Sequence, residues 1–477
     1  MSRLASLAVT AIAALTFTSC TLGPNYKRPE VRMPAQFRGS ASTEAAAGQA
    51  SIADVKWSEL FRDDTLTALV SAALQENFEV RIAAERVLQA RAAYGITRAD
   101  QFPSADASVD LAAARASKEG ANRAIPRGAD TSVSYVQAGF SFAWEIDVWG
   151  RLRRLTEAAR AQYLATEEAR RGVVTTLIAD TTENYLALRA LDLELDIAKR
   201  TRDLATESLR LTEARRAQGA ASGLDVRQAE QLLFTTTGRI ASLERAIAQT
   251  ENALSLLLGR LPGDIQRGRP LDALEAPPEV PAGLPSALLE RRPDIRRAEQ
   301  ELIAANAQIG AARAEFFPRI SLTGLLGVQS RALTDLLSGP AVVATGGLGA
   351  AAPIFNAGRT RSNVRLAEAV QREAVVNYQR AIYAAFRDVA DSLAARTKTR
   401  EQRAEHERLV AALREAARLS TERYRGGLDS YLPVLDAQRN LFEGELELAR
   451  LRQLELSAVV QLYRALGGGW SKETTHG

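Results

Sequence analysis

The sequence predicts an α+β membrane protein in which a few amphipathic strands are set between very long helices. Three observations predict it. Ala, Leu, Arg and Glu dominate the 477 residues and aromatics make up only 6%, the balance of long helices rather than of compact α/β domains. The chain says the same thing twice: Phe102-Pro103 recurs as Phe317-Pro318, Gly150-Arg151 as Gly358-Arg359, Gly219-x-x-Ser222-x-Leu224-x-Val226 as Gly427-x-x-Ser430-x-Leu432-x-Val434, and Leu258-Gly259 as Leu466-Gly467. Their order and near-constant spacing mark a tandem duplication. Within each copy a helical period gives way, over two stretches, to strict alternation.

The elements follow in order. Arg3, the apolar run Leu4 to Phe17 and the small residues Thr18 and Ser19 make residues 1–19 a signal peptide, cut before Cys20. A cysteine at that junction resembles the lipobox of bacterial lipoproteins, although Phe17 stands where Leu is usual. The resemblance implies a covalent lipid on Cys20, and Thr21, in place of a retention-signalling Asp, implies the outer membrane. Residues 20–63 then form an extended segment. No later window of 18 apolar residues exists, so any crossing of a bilayer must be made by strands.

The first repeat spans 64–259. Leu66, Leu69, Val70, Ala73 and Leu74 recur at helical spacing, which predicts one helix from Asp64 to Asp100, stopped by Pro103. Strands follow at about 103–114 and 133–148, separated by a polar loop. In the second, Phe140, Phe142, Trp144, Ile146 and Val148 alternate with Ser141, Ala143, Glu145 and Asp147. Gly150 ends it, and a helical run of roughly 65 residues, about 100 Å long at the usual rise, leads to a Gly-rich turn. The prolines of 260–293 mark a non-helical linker. The second repeat, 294–467, repeats the order with strands at about 318–330 and 342–354, and 468–477 is a tail.

Alternation alone also fits a soluble sandwich. Here the chain is exported, the strands have the length that crosses a bilayer when tilted, and their second face is small or polar. Trp144 and Trp149 then fall near a membrane interface. Four strands cannot close a barrel, and open edges in lipid would cost several kcal/mol per unpaired group. Several chains must therefore share one barrel.

Other function classes are excluded in turn. The 61 Lys and Arg against 57 Asp and Glu are interleaved, leaving no basic face for nucleic acid. Two histidines and one cysteine cannot build a usual zinc site. The segment GLGAAA from Gly347 to Ala352 fits a loose dinucleotide pattern but sits in a strand and is followed by Pro353, so no helix N-terminus awaits a phosphate. His406 lies on a charged helix without a nucleophile at useful spacing. No catalytic residue, metal or cofactor is expected beyond the lipid on Cys20, and the chain is not an enzyme.

Several motifs together resemble the TolC-like outer-membrane efflux proteins, in their lipid-anchored branch. They are CTLGPNYKRP (Cys20 to Pro29), WEIDVWGR (Trp144 to Arg151), RRPDIRRAE (Arg291 to Glu299), FFPRISLTG (Phe316 to Gly324), IFNAGR (Ile354 to Arg359) and RYRGGLDSYLPVLDAQR (Arg423 to Arg439). The resemblance implies a homotrimer with one twelve-stranded outer-membrane barrel continued by a periplasmic helical barrel. It also implies a periplasmic adaptor and an inner-membrane transporter of the resistance-nodulation-division type as partners. A type I secretion duct for proteins and a lipid-anchored coiled-coil scaffold are the alternatives.

Three sets of site residues follow. Phe140, Phe142, Trp144 and Ile146 face lipid. The turns carrying Gly219 and Ser222, and Gly426, Gly427 and Ser430, dock the adaptor. Leu432, Asp436 and Arg439 share one helical face, and the resemblance makes them a periplasmic gate; the alternative is an ion pair within one helix. Their counterparts in the first copy, Leu224, Gln228 and Gln231, carry no charge.

Overall fold

The computed structural model describes residues 21–34, 36–39, 52–115, 117, 132–274 and 285–468. The signal peptide, Cys20, nearly all of the loop between the first two strands, part of the linker and most of the tail lie outside them. Two helices open the first repeat, α1 (Asp64–Glu76) and α2 (Phe78–Ala99), followed by strands β1 (Ser104–Arg115) and β2 (Ser132–Ile146). Then come α3 (Arg151–Ala217) and α4 (Gly223–Leu257). A short helix, α5 (Leu288–Arg291), precedes α6 (Pro293–Ala314), β3 (Arg319–Ser330), β4 (Val342–Ala351), α7 (Arg359–Arg425) and α8 (Leu432–Ala465).

Four expectations are corrected, the first being the strand expected over 342–354, which ends at Ala351 ahead of Pro353, a residue with no amide to give a ladder. The helix expected over 64–100 is broken at Asn77, whose backbone is extended and whose side chain accepts from the amides of Glu79 and Val80, ending α1 and capping α2. The apolar pattern runs on across the break, which hid it. The strand expected to reach Val148 ends at Ile146, because Asp147 turns to cap the next helix. The linker is not wholly non-helical: α5 lies in it, and Pro293 is the first residue of α6, where a missing amide costs nothing.

The chain divides into two compact units. The first comprises Met1–Pro29, Val87–Thr166 and Ala298–Tyr378. It holds one antiparallel sheet of order β1-β2-β3-β4 and an alanine-rich helix contact of Ala158, Ala161, Ala304 and Ala307, small enough to bring backbones close. The second comprises Glu30–Arg86, Glu167–Arg297 and Gln379–Gly477. Among its described residues are an apolar cluster of Ile197, Ile240, Leu243, Phe442 and Leu446 and another of Leu232, Tyr424, Tyr431, Val434 and Leu435.

Helix ends repeat between the copies. Gly219, Gly259, Gly427 and Gly467 all have positive φ. After each, the next amide reaches back to the carbonyl five residues earlier, as in Ala220 to Arg215 and Leu428 to Arg423. This is the Schellman closure that glycine permits without Cβ strain.

Candidate functional site

The sheet register decides which residues share a face. Phe140 pairs with Ala107 and Leu326, Phe142 with Ala105 and Gly324, Trp144 with Leu322, and Ile146 with Ile320. On β4, Leu348 pairs with Leu322 and Val342 with Val328. Paired residues project to the same side, so the bulky set Phe140, Phe142, Trp144 and Ile146 read from the sequence shares one face with Leu322, Leu326, Val342 and Leu348. The opposite face carries Asp106 with Ser141, Asp110 with Gln137, and Glu145 with Ser321. Gly139 and Gly327 are paired on that side so closely that a Cβ on either would strike the facing backbone. β1 and β4 are the sheet's two edges.

Where β2 becomes α3, the chain turns through Gly150 at φ +79°. Two ion pairs brace the turn. The Arg151 guanidinium donates to both Glu145 oxygens, Nε at 3.0 Å and Nη2 at 2.8 Å. The Arg153 amide and Nε both donate to Asp147 Oδ2, at 2.9 and 3.3 Å. The Trp149 indole donates to the Pro318 carbonyl and stacks on Phe317 at 4.7 Å, and the Trp144 indole donates to the Gln101 carbonyl. Sequence reasoning missed this brace, although acidic and basic residues six apart around a glycine were its visible signal.

The N-terminal segment is tied to the same unit. Asn306 donates to the Pro24 carbonyl, and Arg154 donates to the Leu22 carbonyl and Asn25 Oδ1. Arg28 grips Glu299 with two bonds of 2.6 and 2.8 Å, and the Tyr26 hydroxyl donates to the same carboxylate. Burial, then the Glu299 charge, push the Tyr26 phenol up, which keeps it a donor. Gly23 crosses Gly310 at a distance that leaves no room for a side chain on either. Thr21, next to Cys20, lies against Gly150.

The two helical turns are built differently. At the first, Ser222 accepts from the Asp225 amide while Asp225 Oδ2 accepts from the Ser222 amide at 2.7 Å, a capping box for α4. At the second, Ser430 caps nothing; α8 begins after Tyr431, with Pro433 in its first turn and no side-chain cap. Its closure comes from Arg423, which bonds Asp429 and holds that carboxyl below the usual range. Tyr431 is buried edge-on against Tyr424, and burial pushes its phenol up to about 12. Arg215 donates to the Tyr424 carbonyl at 2.6 Å and lies over its ring. Gly219, Gly426 and Gly427 are exposed.

Leu432, Asp436 and Arg439 are all exposed along one side of α8, while Val434 and Leu435 are buried. No ion pair between Asp436 and Arg439 is present among the described residues.

A family model described as outer membrane efflux protein matches residues 69–260 and 284–468, one segment per repeat. The solvent efflux pump outer membrane protein SrpC of Pseudomonas putida is 41% identical over 462 residues, covering 96% of this chain and 97% of its own. The cation efflux system protein CusC of Escherichia coli is 36% identical over 461 residues, covering 96% and 98%. The crystal structure of the open state of the Neisseria gonorrhoeae MtrE outer membrane channel superposes with a TM-score of 0.83 at 31% identity, covering 94% of this chain and 98% of that one.

Proposed function

Because the chain belongs to the outer membrane efflux protein family, we propose that three copies form a passive duct of a tripartite pump. It carries toxic small molecules from an inner-membrane transporter of the resistance-nodulation-division type and a periplasmic adaptor to the exterior. The observation that carries this reading is the sheet. It has one continuous apolar face, one polar face and two free edges, and such a sheet is stable in a bilayer only when other copies complete the barrel. Phe140, Phe142, Trp144 and Ile146 then meet lipid. A covalent lipid on Cys20 joins them at the membrane, a reading supported by the signal-peptide pattern that ends in small residues before this cysteine.

The turns at Gly219 to Ser222 and Gly426 to Ser430 meet the adaptor. Leu432, Asp436 and Arg439 form the gate: with no ion pair between them, Asp436 and Arg439 are available to pair across the axis. Each exposed pair contributes only about 0–1 kcal/mol, so docking can open it. Deleting the chain should sensitise cells to solvents and drugs, and the purified oligomer should conduct in planar bilayers. Asp436→Ala combined with Arg439→Ala should raise that conductance, and an unchanged value would remove these residues from the gate. Loss of a secreted protein with unchanged drug susceptibility would move the chain to type I secretion.

A further inference from the structure

The second strand-to-helix junction keeps only half of the brace seen at the first. Arg359 and Arg361 occupy the positions of Arg151 and Arg153, but Glu145 and Asp147 are matched by Pro353 and Phe355. The arginines persist without their carboxylates. Both are exposed, neither makes an ion pair among the described residues, and both open α7, where the backbone dipole disfavours cations. Beside them Ile354 and Phe355 are 95% and 89% exposed. At the first junction the aromatic residue, Trp149, is stacked and hydrogen-bonded instead.

The opposite edge of the sheet presents the complement. Just before β1, Asp100 is exposed and without an ion pair among the described residues, and Phe102 and Ile96 are 57% and 70% exposed. The register relates the two edges. Ser104, Ala143, Thr323 and Gly347 lie in one row across the three ladders. Toward the helices, β2 continues from Ala143 to Ile146, β3 starts back at Arg319, and β4 continues from Gly347 to Ala351. The strand ends thus step toward the helices from β1 through β2 to β3, and β3 and β4 end level, Arg319 opposite Ala351; such a stagger belongs to tilted strands that close into a barrel. In a barrel completed by other copies, the next strand beside β4 is the β1 of a neighbour, and its Ser104 is set level with Ala351 when that ladder begins where β3 and β4 end. That brings its Asp100 and Phe102 to Phe355, Arg359 and Arg361.

We infer that the second junction is braced in trans. Asp100 of the neighbouring copy receives Arg359 and Arg361, in place of the carboxylates lost at Pro353 and Phe355, while Ile354 and Phe355 close over the neighbour's Phe102. The inference rests on the reading that several copies share one barrel. It assigns to each copy one junction braced by itself and one braced by its neighbour, so that a lone chain has an unfinished junction beside the β4 edge and an unused carboxylate, Asp100, beside the β1 edge.

Cysteine cross-linking in the full-length, membrane-inserted protein tests it. Phe102→Cys combined with Phe355→Cys should give covalently linked chains under mild oxidation, and neither single variant should. In parallel, Arg361→Asp should lower the temperature at which the oligomer dissociates on a semi-native gel, and adding Asp100→Arg should restore it. An intact wild-type oligomer with no cross-link and no rescue overturns the trans brace while leaving the shared barrel standing. Quenching by brominated lipid of a fluorophore attached to the Phe355→Cys variant would make the bilayer the occupant and overturn it as well. A wild-type protein that is monomeric in the membrane would instead remove the shared barrel, and the inference with it.

Discussion

The two turns that end the long helices share a backbone and differ in what closes them. Gly219 and Gly427 hold the same left-handed conformation and the same pair of reaching amides. Past that point the copies diverge: Gly223, exposed, stands where Tyr431 is buried, and the capping box of Ser222 and Asp225 is replaced by the Arg423–Asp429 ion pair. The first turn is therefore held by its own local bonds. The second is held by packing against α3, through Tyr424, Tyr431 and Arg215. Duplication preserved the geometry and left the means of stabilisation free to change, and the charged face of Asp436 and Arg439 lies on the helix that lacks a local cap.

Hydrogen exchange at the turns of the assembled protein can break this contrast. The largest effect is expected from Tyr431→Ala, which should destabilise the second turn by about 3–5 kcal/mol, as removal of a buried aromatic does, whereas Gly223→Ala should leave the first turn unchanged or slightly firmer. Equal protection losses would show that both turns depend on packing. Next, Gly219→Ala and Gly427→Ala should each cost roughly 1–2 kcal/mol, the strain of a left-handed residue with a Cβ, and should do so equally. A difference between them would mean that the shared backbone is not under the same constraint. Ser222→Ala should cost about 1 kcal/mol through the lost cap, and Ser430→Ala nothing measurable.

The smallest effect is that of pH. The Asp429 carboxyl is held below its ordinary value by Arg423, so its contribution is present above the unfolded carboxylate range and is lost as pH falls through the lowered value. Acidification into that range should speed exchange at the second turn. The change should vanish in Asp429→Asn.

Much of this was legible in the sequence. The alternation of β1 to β4 named the apolar face correctly because a strand's period of two leaves no freedom once one residue is placed. The glycines at the turns were legible because a left-handed position admits few other residues. Three features were hidden. Asn77 breaks a helix that its apolar pattern would continue, and the break is caused by a side chain capping its own successors. The burial of Tyr431 depends on Tyr424 and Leu232, which a local pattern cannot bring together. At the candidate gate the sequence located the face of Leu432, Asp436 and Arg439, but whether the charges pair within the helix depends on side-chain geometry.

The helices α3 and α7 have the same length, 67 residues. Each residue added to an α-helix advances its end by about 1.5 Å and turns it by about 100°. An insertion in one copy alone would put Arg215 and Tyr424 out of step in height and in azimuth together. Length is thus an inherited coordinate of the molecule, free to drift only by matched edits of near-whole turns in both halves. A channel of this design can be lengthened or shortened, but only as a pair of rulers cut to the same mark.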